Sequence, residues 1–184
     1  MSFDQHPHYP DLEAAIQGTH APAEIISQLE LVPVDYLNFD AEYATGQLVV
    51  AAALAEDVQE IFGAIRDARF PVRSIIPIVQ FGHDDHRSIA ANNTSAFNYR
   101  VVAGTDRLSN HARGHALDLN PLLNPYVNSD GSPKAGSFPY PGYDPSIPGT
   151  IVEGGAVVKA FTERGWKWGG HWKDSLDLQH FAKG

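Results

Sequence analysis

The chain has no cysteine at all, and only 13 lysines and arginines against 22 aspartates and glutamates. The first lack removes disulfides and thiolate metal sites together, so any metal must be held by His, Asp or Glu. It says nothing firm about compartment. The second leaves a formal charge of −9. That argues against nucleic acid, which is bound mainly through basic side chains, and offers no overall steering toward anionic polymers. No apolar run approaches the roughly 20 residues of a membrane span; Leu48 to Leu54 is apolar but too short. Met1 to His8 shows no basic region followed by an apolar run, so it does not read as a signal peptide. The HExxH pattern of helix-borne zinc peptidases is missing, as is the H-x-E…P-C-x-x-C pattern of deaminases. No internal repeat is visible.

What is present suits a single globular α+β domain over residues 1–184, with 43% hydrophobic and 19% charged residues. Residues 1–30 read as a variable lead-in with two short helices broken at Pro22; His6, His8 and His20 there read as surface residues. Leu31 to Phe39 is expected to be extended, and Leu48–Val50 to lead into a helix near 55–69. In that helix Leu54, Val58, Ile61, Phe62 and Ile65 follow the i, i+3, i+4, i+7 spacing of one buried face. Val72 to Val79 reads as a strand in which Pro77 marks an edge or an end, Phe81 to Thr94 as a polar loop, and Ser95 to Val102 as a strand. The run His83-Asp84-Asp85-His86 reads as a solvated, substrate-side loop rather than a second metal site. Residues 121–150, crowded with Pro, Gly, Asn and Ser, form a long excursion read as a cleft wall tied down by Tyr126, Phe138, Tyr140 and Tyr143; a mere insertion is the alternative. A helix over 152–164 capped by Gly165, a strand at Trp166–Trp168, and a final strand over Leu178–Ala182 complete the chain.

The most informative stretch is Ser109-Asn110-His111-Ala112-Arg113-Gly114-His115-Ala116-Leu117-Asp118. It sets an imidazole and a carboxylate seven residues apart with a glycine between them. In a helix the two would lie about 10 Å apart along the axis. In a straight strand they would be about 23 Å apart and on opposite faces. Neither closes on one metal ion, whose bonds are about 2.0–2.2 Å. The chain must bend between them, and Gly114 permits a tight bend. After it, Leu117 and Leu119 alternate with Ala116, Asp118 and Asn120, a short strand with its acid facing away from the leucines. A second cluster, Asp177-Leu178-Gln179-His180, completes a set of two histidines and one carboxylate. Zinc enzymes use three protein ligands and keep a fourth position for water, and Asp177 would take a proton from that water. Nine histidines make a chance pairing easy, however, and spacing alone leaves ordinary satisfied or exposed histidines as an open reading. If Asp177 and His180 share a site, the chain must turn near 174–178; Lys173-Asp174-Ser175 suits such a turn, with Asp174 the second candidate base.

Ser109-x-His111-x-x-Gly114-x-Ala116-x-Asp118 followed by Asp177-x-x-His180 resembles the M15 family of zinc peptidases. That family comprises VanY-type D-alanyl-D-alanine carboxypeptidases and phage L-alanyl-D-glutamate endopeptidases. The similarity runs over 48–181 and includes Asn92–Arg100, Asp118-Leu119-Asn120-Pro121, Asn124-Pro125-Tyr126 and Gly165-Trp166-x-Trp168-Gly169-Gly170-x-Trp172. It implies a Hedgehog/DD-peptidase-like α+β fold, in which a small antiparallel sheet carries the zinc site and helices pack on one side. It also implies Zn2+ on His111, Asp118 and His180, Asp177 as catalytic base, and Arg100 binding substrate or stabilising the oxyanion. Ser109, Tyr99 and His171 are expected near substrate. His171 is a departure, since many relatives carry an acid there. An aspartate as base is closer to the L-Ala–D-Glu endopeptidase branch, with D-Ala–D-Ala carboxypeptidase activity as the alternative on peptidoglycan stem peptides. A non-catalytic zinc-stabilised wall-binding module and a cytoplasmic dipeptidase are further readings. Without a signal peptide, action on the wall is expected to need export or release by lysis. The tryptophans are expected in the core. Oligomeric state is not legible.

Overall fold

The computed structural model describes residues 7–134 and 137–184. The stretch read as lacking a signal peptide therefore lies mostly outside the described residues, as does His6; His8 and His20 are exposed. The chain runs through α1 (Leu12–Ala15), α2 (Ala23–Ile26), β1 (Leu29–Leu37), β2 (Tyr43–Ala51) and α3 (Ala55–Asp67). It continues through β3 (Ser74–Ile75), α4 (Asp85–Ala90), β4 (Asn93–Thr94), β5 (Ala116–Asp118) and β6 (Tyr126–Asn128). It closes with α5 (Ala156–Thr162), β7 (Lys167–Trp168), β8 (Ser175–Asp177) and β9 (His180–Ala182). This is a mixed α+β architecture of small sheets, mostly antiparallel, and a few helices.

The long hairpin of β1 and β2 forms the back of the molecule. Its turn is closed by Asn38, whose Oδ1 accepts from the N–H groups of Asp40 and Glu42 at 2.9 Å each. Both faces of β2 are covered. Leu48 and Val50 enter the main core, whereas Val49 enters a second cluster with Ala15, Ile16, Leu29 and Phe97. Being buried on both sides, the Leu48–Ala51 part of β2 is continuously apolar where strands with one wet face alternate. That is why Leu48–Val50, expected only to lead into a helix, is instead the end of a nine-residue strand. Val58, Ile61, Phe62 and Ile65 of α3 pack on β1 in the expected register. Helix α5 packs on α3, and Phe161 stacks on Phe181 of β9 with ring centroids 3.9 Å apart. This stack joins the helical layer to the three-stranded sheet β5-β9-β7.

Several expected elements differ. The strand expected over 72–79 pairs only at Ser74–Ile75, because Pro77 ends the ladder and a 3-10 turn, Ile78–Phe81, follows. The polar loop 81–94 contains α4, capped by Asp84, whose side chain accepts from His86 N at 2.8 Å and Arg87 N at 3.2 Å. Ser95–Val102 is not a regular strand; it makes isolated bridges, Ser95 to Asp118 and Val101 to Leu108. Helix α5 is shorter than 152–164, since the glycines before it delay its start. The tail of the chain bends at Lys173–Asp174, as expected, and turns a second time at Leu178–Gln179, between Asp177 and His180.

The long segment 121–150 is anchored by two buried asparagines. Asn120, in left-handed backbone (φ 43°), donates from Nδ2 to Pro71 O and Gly149 O and accepts from Arg73 N. Asn124 donates to Leu119 O and Asn120 O and accepts from Ile151 N at 2.7 Å. Tyr143 donates to Ile151 O at 2.8 Å.

Candidate active site

The site is assembled from two antiparallel strands and one tight turn. Asp118 of β5 stands opposite His180 of β9 in the ladder register. Leu117 and Leu119, fully buried, hold β5 on the core and leave Asp118 on the opposite face. His111 opens a 3-10 turn, His111–Arg113, ended by Gly114 at φ +69°. That turn folds the imidazole back over the strand. Glycine is required twice over there: its φ is left-handed, and a Cβ would stand 2.5 Å from Ala51 N and 2.7 Å from Val50 C.

One ligand atom from each of His111, Asp118 and His180 lies within 4.8 Å of the other two. The His111 Nε2 is 3.2 Å from His180 Nδ1 and 3.3 Å from Asp118 Oδ2, and His180 Nδ1 is 3.0 Å from Asp118 Oδ1. Two atoms bound to one ion at about 2.0–2.2 Å in tetrahedral geometry stand roughly 3.3 Å apart. The trio thus has the spacing of a ligand set. It is also awkward without a cation, because two imidazole nitrogens face each other and one must carry a proton. The outer nitrogen of His111 is committed elsewhere: Nδ1 donates to Ala96 O at 2.6 Å, which fixes the tautomer and aims Nε2 inward.

The electrostatics follow from burial and this charge pair. Burial opposes a charged imidazole at His111, but Asp118 outweighs it and raises the pKa above the ordinary value. Burial likewise opposes ionisation of Asp118, and the two histidines outweigh it, lowering its pKa well below the usual carboxylate range. Asp177 behaves oppositely. Burial pushes its pKa up to about 6; His180 pulls against this, and Asp118 adds to it. Its Oδ1 is shielded from solvent and has no hydrogen-bond partner among the described residues. An unpartnered buried carboxylate oxygen beside a ligand trio is positioned to take a proton.

These groups line a cleft of about 660 Å³. Ser109 lines it, its Oγ accepting from His111 N at 3.3 Å, a contact that shapes the turn. Arg100 also lines it and is ion-paired with Asp85, which accepts from Asn98 Nδ2 at 2.7 Å. Tyr126, Phe138 and Tyr140 form an aromatic wall from the 121–150 segment. Two residues expected near substrate lie elsewhere: Tyr99 packs against the second hydrophobic cluster, and His171 pairs with Glu153 at 2.6 Å outside the cleft lining. Asp174 is exposed and does not line the cleft. Trp166 and Trp168 are core residues as expected, but Trp172 is 43% exposed and lines the cleft 5.4 Å from the His180 ring. Sequence reasoning anticipated Tyr140 as part of the cleft wall but missed Trp172 and Gln179. Their only sequence signal was nearness to the matched motifs, and alternation does not reveal which aromatic stays at a mouth.

A cleft with a His-Asp-His set on a small sheet and a free carboxylate beside it is the layout of a metallohydrolase. Residues 103–183 match a family model of the M15 peptidases described as D-alanyl-D-alanine carboxypeptidase. The match supports an M15-family peptidase, with a fold consistent with that family, and indicates a metallopeptidase acting on peptidoglycan. No curated protein and no solved structure matches the chain. Among the described residues, no helix is long and apolar enough to cross a membrane.

Proposed function

We propose that this chain is a zinc-dependent hydrolase of peptidoglycan stem peptides that cuts the L-Ala–D-Glu bond. His111, Asp118 and His180 hold the zinc, and Asp177 is the general base. The observation that carries the reading is the convergence of three ligand atoms at 3.0–3.3 Å next to the unpartnered Asp177 Oδ1. When bound, zinc supplies Lewis-acid activation of water and of the scissile carbonyl. Asp177 takes the water proton on Oδ1 and hands it to the leaving amine. Arg100, braced by Asp85, presents its guanidinium to the cleft and stabilises the developing oxyanion. Trp172 and Tyr140 narrow the cleft and limit water around the reacting atoms.

The aspartate base favours endopeptidase action by resemblance. The description of the matched family favours a second reading, removal of a terminal D-Ala. Zinc-loaded protein incubated with purified muropeptides separates them by product mass. Release of the stem after L-Ala establishes the endopeptidase; loss of one D-Ala establishes the carboxypeptidase. Bound zinc with no product from any muropeptide removes both readings and leaves a binding module or a dipeptidase.

A further inference from the structure

The cleft has a cationic wall of which the chemistry above uses only Arg100. In a chain of net charge −9, three arginines, Arg100, Arg107 and Arg113, line one cleft. Arg100 is neutralised by Asp85. Arg107 and Arg113 are exposed, and neither guanidinium has an ion pair or hydrogen bond among the described residues. Both sit on fixed backbone. Arg113 ends the 3-10 turn that carries His111. Arg107 is in a hairpin turn closed by Val102 N donating to Arg107 O at 2.8 Å and by the Val101–Leu108 bridge.

Two uncompensated cations stabilise nothing in the folded chain; Arg113 even disfavours protonation of its neighbour His115, adding to the effect of burial there. Guanidinium matches carboxylate with two parallel hydrogen bonds. With a divalent ion on the site, the charges of Asp118 and Asp177 are balanced. The two free arginines then leave the cleft net positive, against the sign of the whole molecule.

We infer that Arg107 and Arg113 form a carboxylate-recognition subsite that selects acidic peptides beside the scissile bond. This rests on the peptidase reading of the same cleft. The ligand chemistry is a peptide carboxylate, and a stem peptide offers two sources: the free carboxylate of D-Glu and the C-terminal carboxylate of D-Ala. The subsite also makes the cleft a local exception to the acidic surface, so recognition is salt-sensitive while the chain as a whole does not attract anions.

The test is an equilibrium titration, read by NMR, of zinc-loaded Asp177→Asn protein. The probes are a synthetic L-Ala–D-Glu–L-Lys–D-Ala–D-Ala pentapeptide, the same peptide amidated at D-Glu, and the same peptide amidated at its C-terminus. The parent is expected to bind about tenfold tighter than one amidated form, and which form identifies the source. Adding Arg107→Gln and Arg113→Gln together is expected to collapse that ratio to about 1–2, with Arg107→Lys and Arg113→Lys restoring part of it. Lys159→Gln, the same charge change on the solvent face of α5, leaves the ratio intact. A ratio unchanged by the double substitution overturns the inference, as does a parent peptide that binds no tighter than both amidated forms or not at all. Failure of the peptidase reading shows separately, as absence of cleavage by the unsubstituted enzyme while the binding ratio still collapses with the arginines.

Discussion

Asp118 bridges two imidazoles, and the proton balance of the site follows from that contact. In metal-free protein His111 has a raised pKa, so the stability it contributes is full below its unfolded value of about 6.5 and is lost as pH rises through the folded value. Asp118 has a depressed pKa, so its contribution is present above about 3.9 and lost only as pH falls through the folded value. Asp177, pushed up to about 6, binds its proton more tightly folded than unfolded and therefore destabilises the metal-free fold as pH rises from about 4 to 6. Metal-free protein is expected to lose stability between pH 5 and 8 on thermal melting, and Asp177→Asn to flatten that loss by about 1–2 kcal/mol. A melting temperature that rises over this range would contradict the assignment. Metal must displace the proton shared in the trio, so binding is expected to release protons and to weaken as pH falls from about 8 to 6. Calorimetry in buffers of different ionisation enthalpy reads the release directly. In catalysis, Asp177→Asn is expected to keep one metal per chain and lose about 10²–10⁴ in kcat, whereas Asp174→Asn, exposed and outside the cleft, changes it little. A fully active Asp177→Asn protein would sink the base assignment. At this scale the bend between His111 and Asp118 was legible from Gly114, whereas the trio with His180 was legible only through the family resemblance. Tyr99 and His171 were not, because nothing in alternation tells a core face from a cleft face.

Short elements place these residues, and glycines decide whether they fit. Gly114→Ala is expected to cost roughly 2–4 kcal/mol and to weaken metal binding, since both its φ and its Cβ contacts with Ala51 and Val50 are forbidden. Gly63→Ala, mid-helix in α3 with nothing within 4 Å of the new methyl, is the matched control and is expected to stabilise by about 0.5–1 kcal/mol. Denaturant melts of the two variants, with zinc titrations of each, check both signs. Gly169 carries a second placement: a Cβ there would stand 2.5 Å from Asp177 O and 2.9 Å from Asp177 Cβ, so even alanine displaces the base. Gly169 is therefore the seat of the Asp177 carboxylate. Helix α3 was legible because its apolar stripe is long. The Ser95–Val102 segment was misread because Ala96, Phe97 and Asn98 are buried in succession with only isolated bridges on either side, and the sequence does not report whether a neighbouring strand offers a ladder. Helix α4 was missed because six residues carry too little stripe, although Asp84 was a usable N-cap signal.

Across the whole molecule, the two-faced hairpin and the Phe161–Phe181 stack form a rigid back, and the site opens on the other side of β5 and β9. Phe161→Ala is expected to cost about 3–5 kcal/mol and to lower the melting temperature by roughly 6–20 °C, with zinc binding retained wherever the fold persists. The 121–150 segment, long for a compact domain, is held at both ends by Asn120 and Asn124 and brings Tyr126, Phe138 and Tyr140 to the cleft. Its role as a wall was legible from its length and aromatics, but its anchors were not, because an asparagine's partners are backbone groups that sequence spacing does not mark. The central claim is that hydrolysis depends on one metal held by His111, Asp118 and His180. The most direct measurement is a zinc titration of chelator-treated protein, following muropeptide cleavage and bound metal together. Activity is expected to rise linearly and to plateau at one equivalent, and His180→Ala to abolish both signals while the chain remains folded by circular dichroism. Full-rate cleavage by chelated protein, or by His180→Ala without bound metal, would contradict the account.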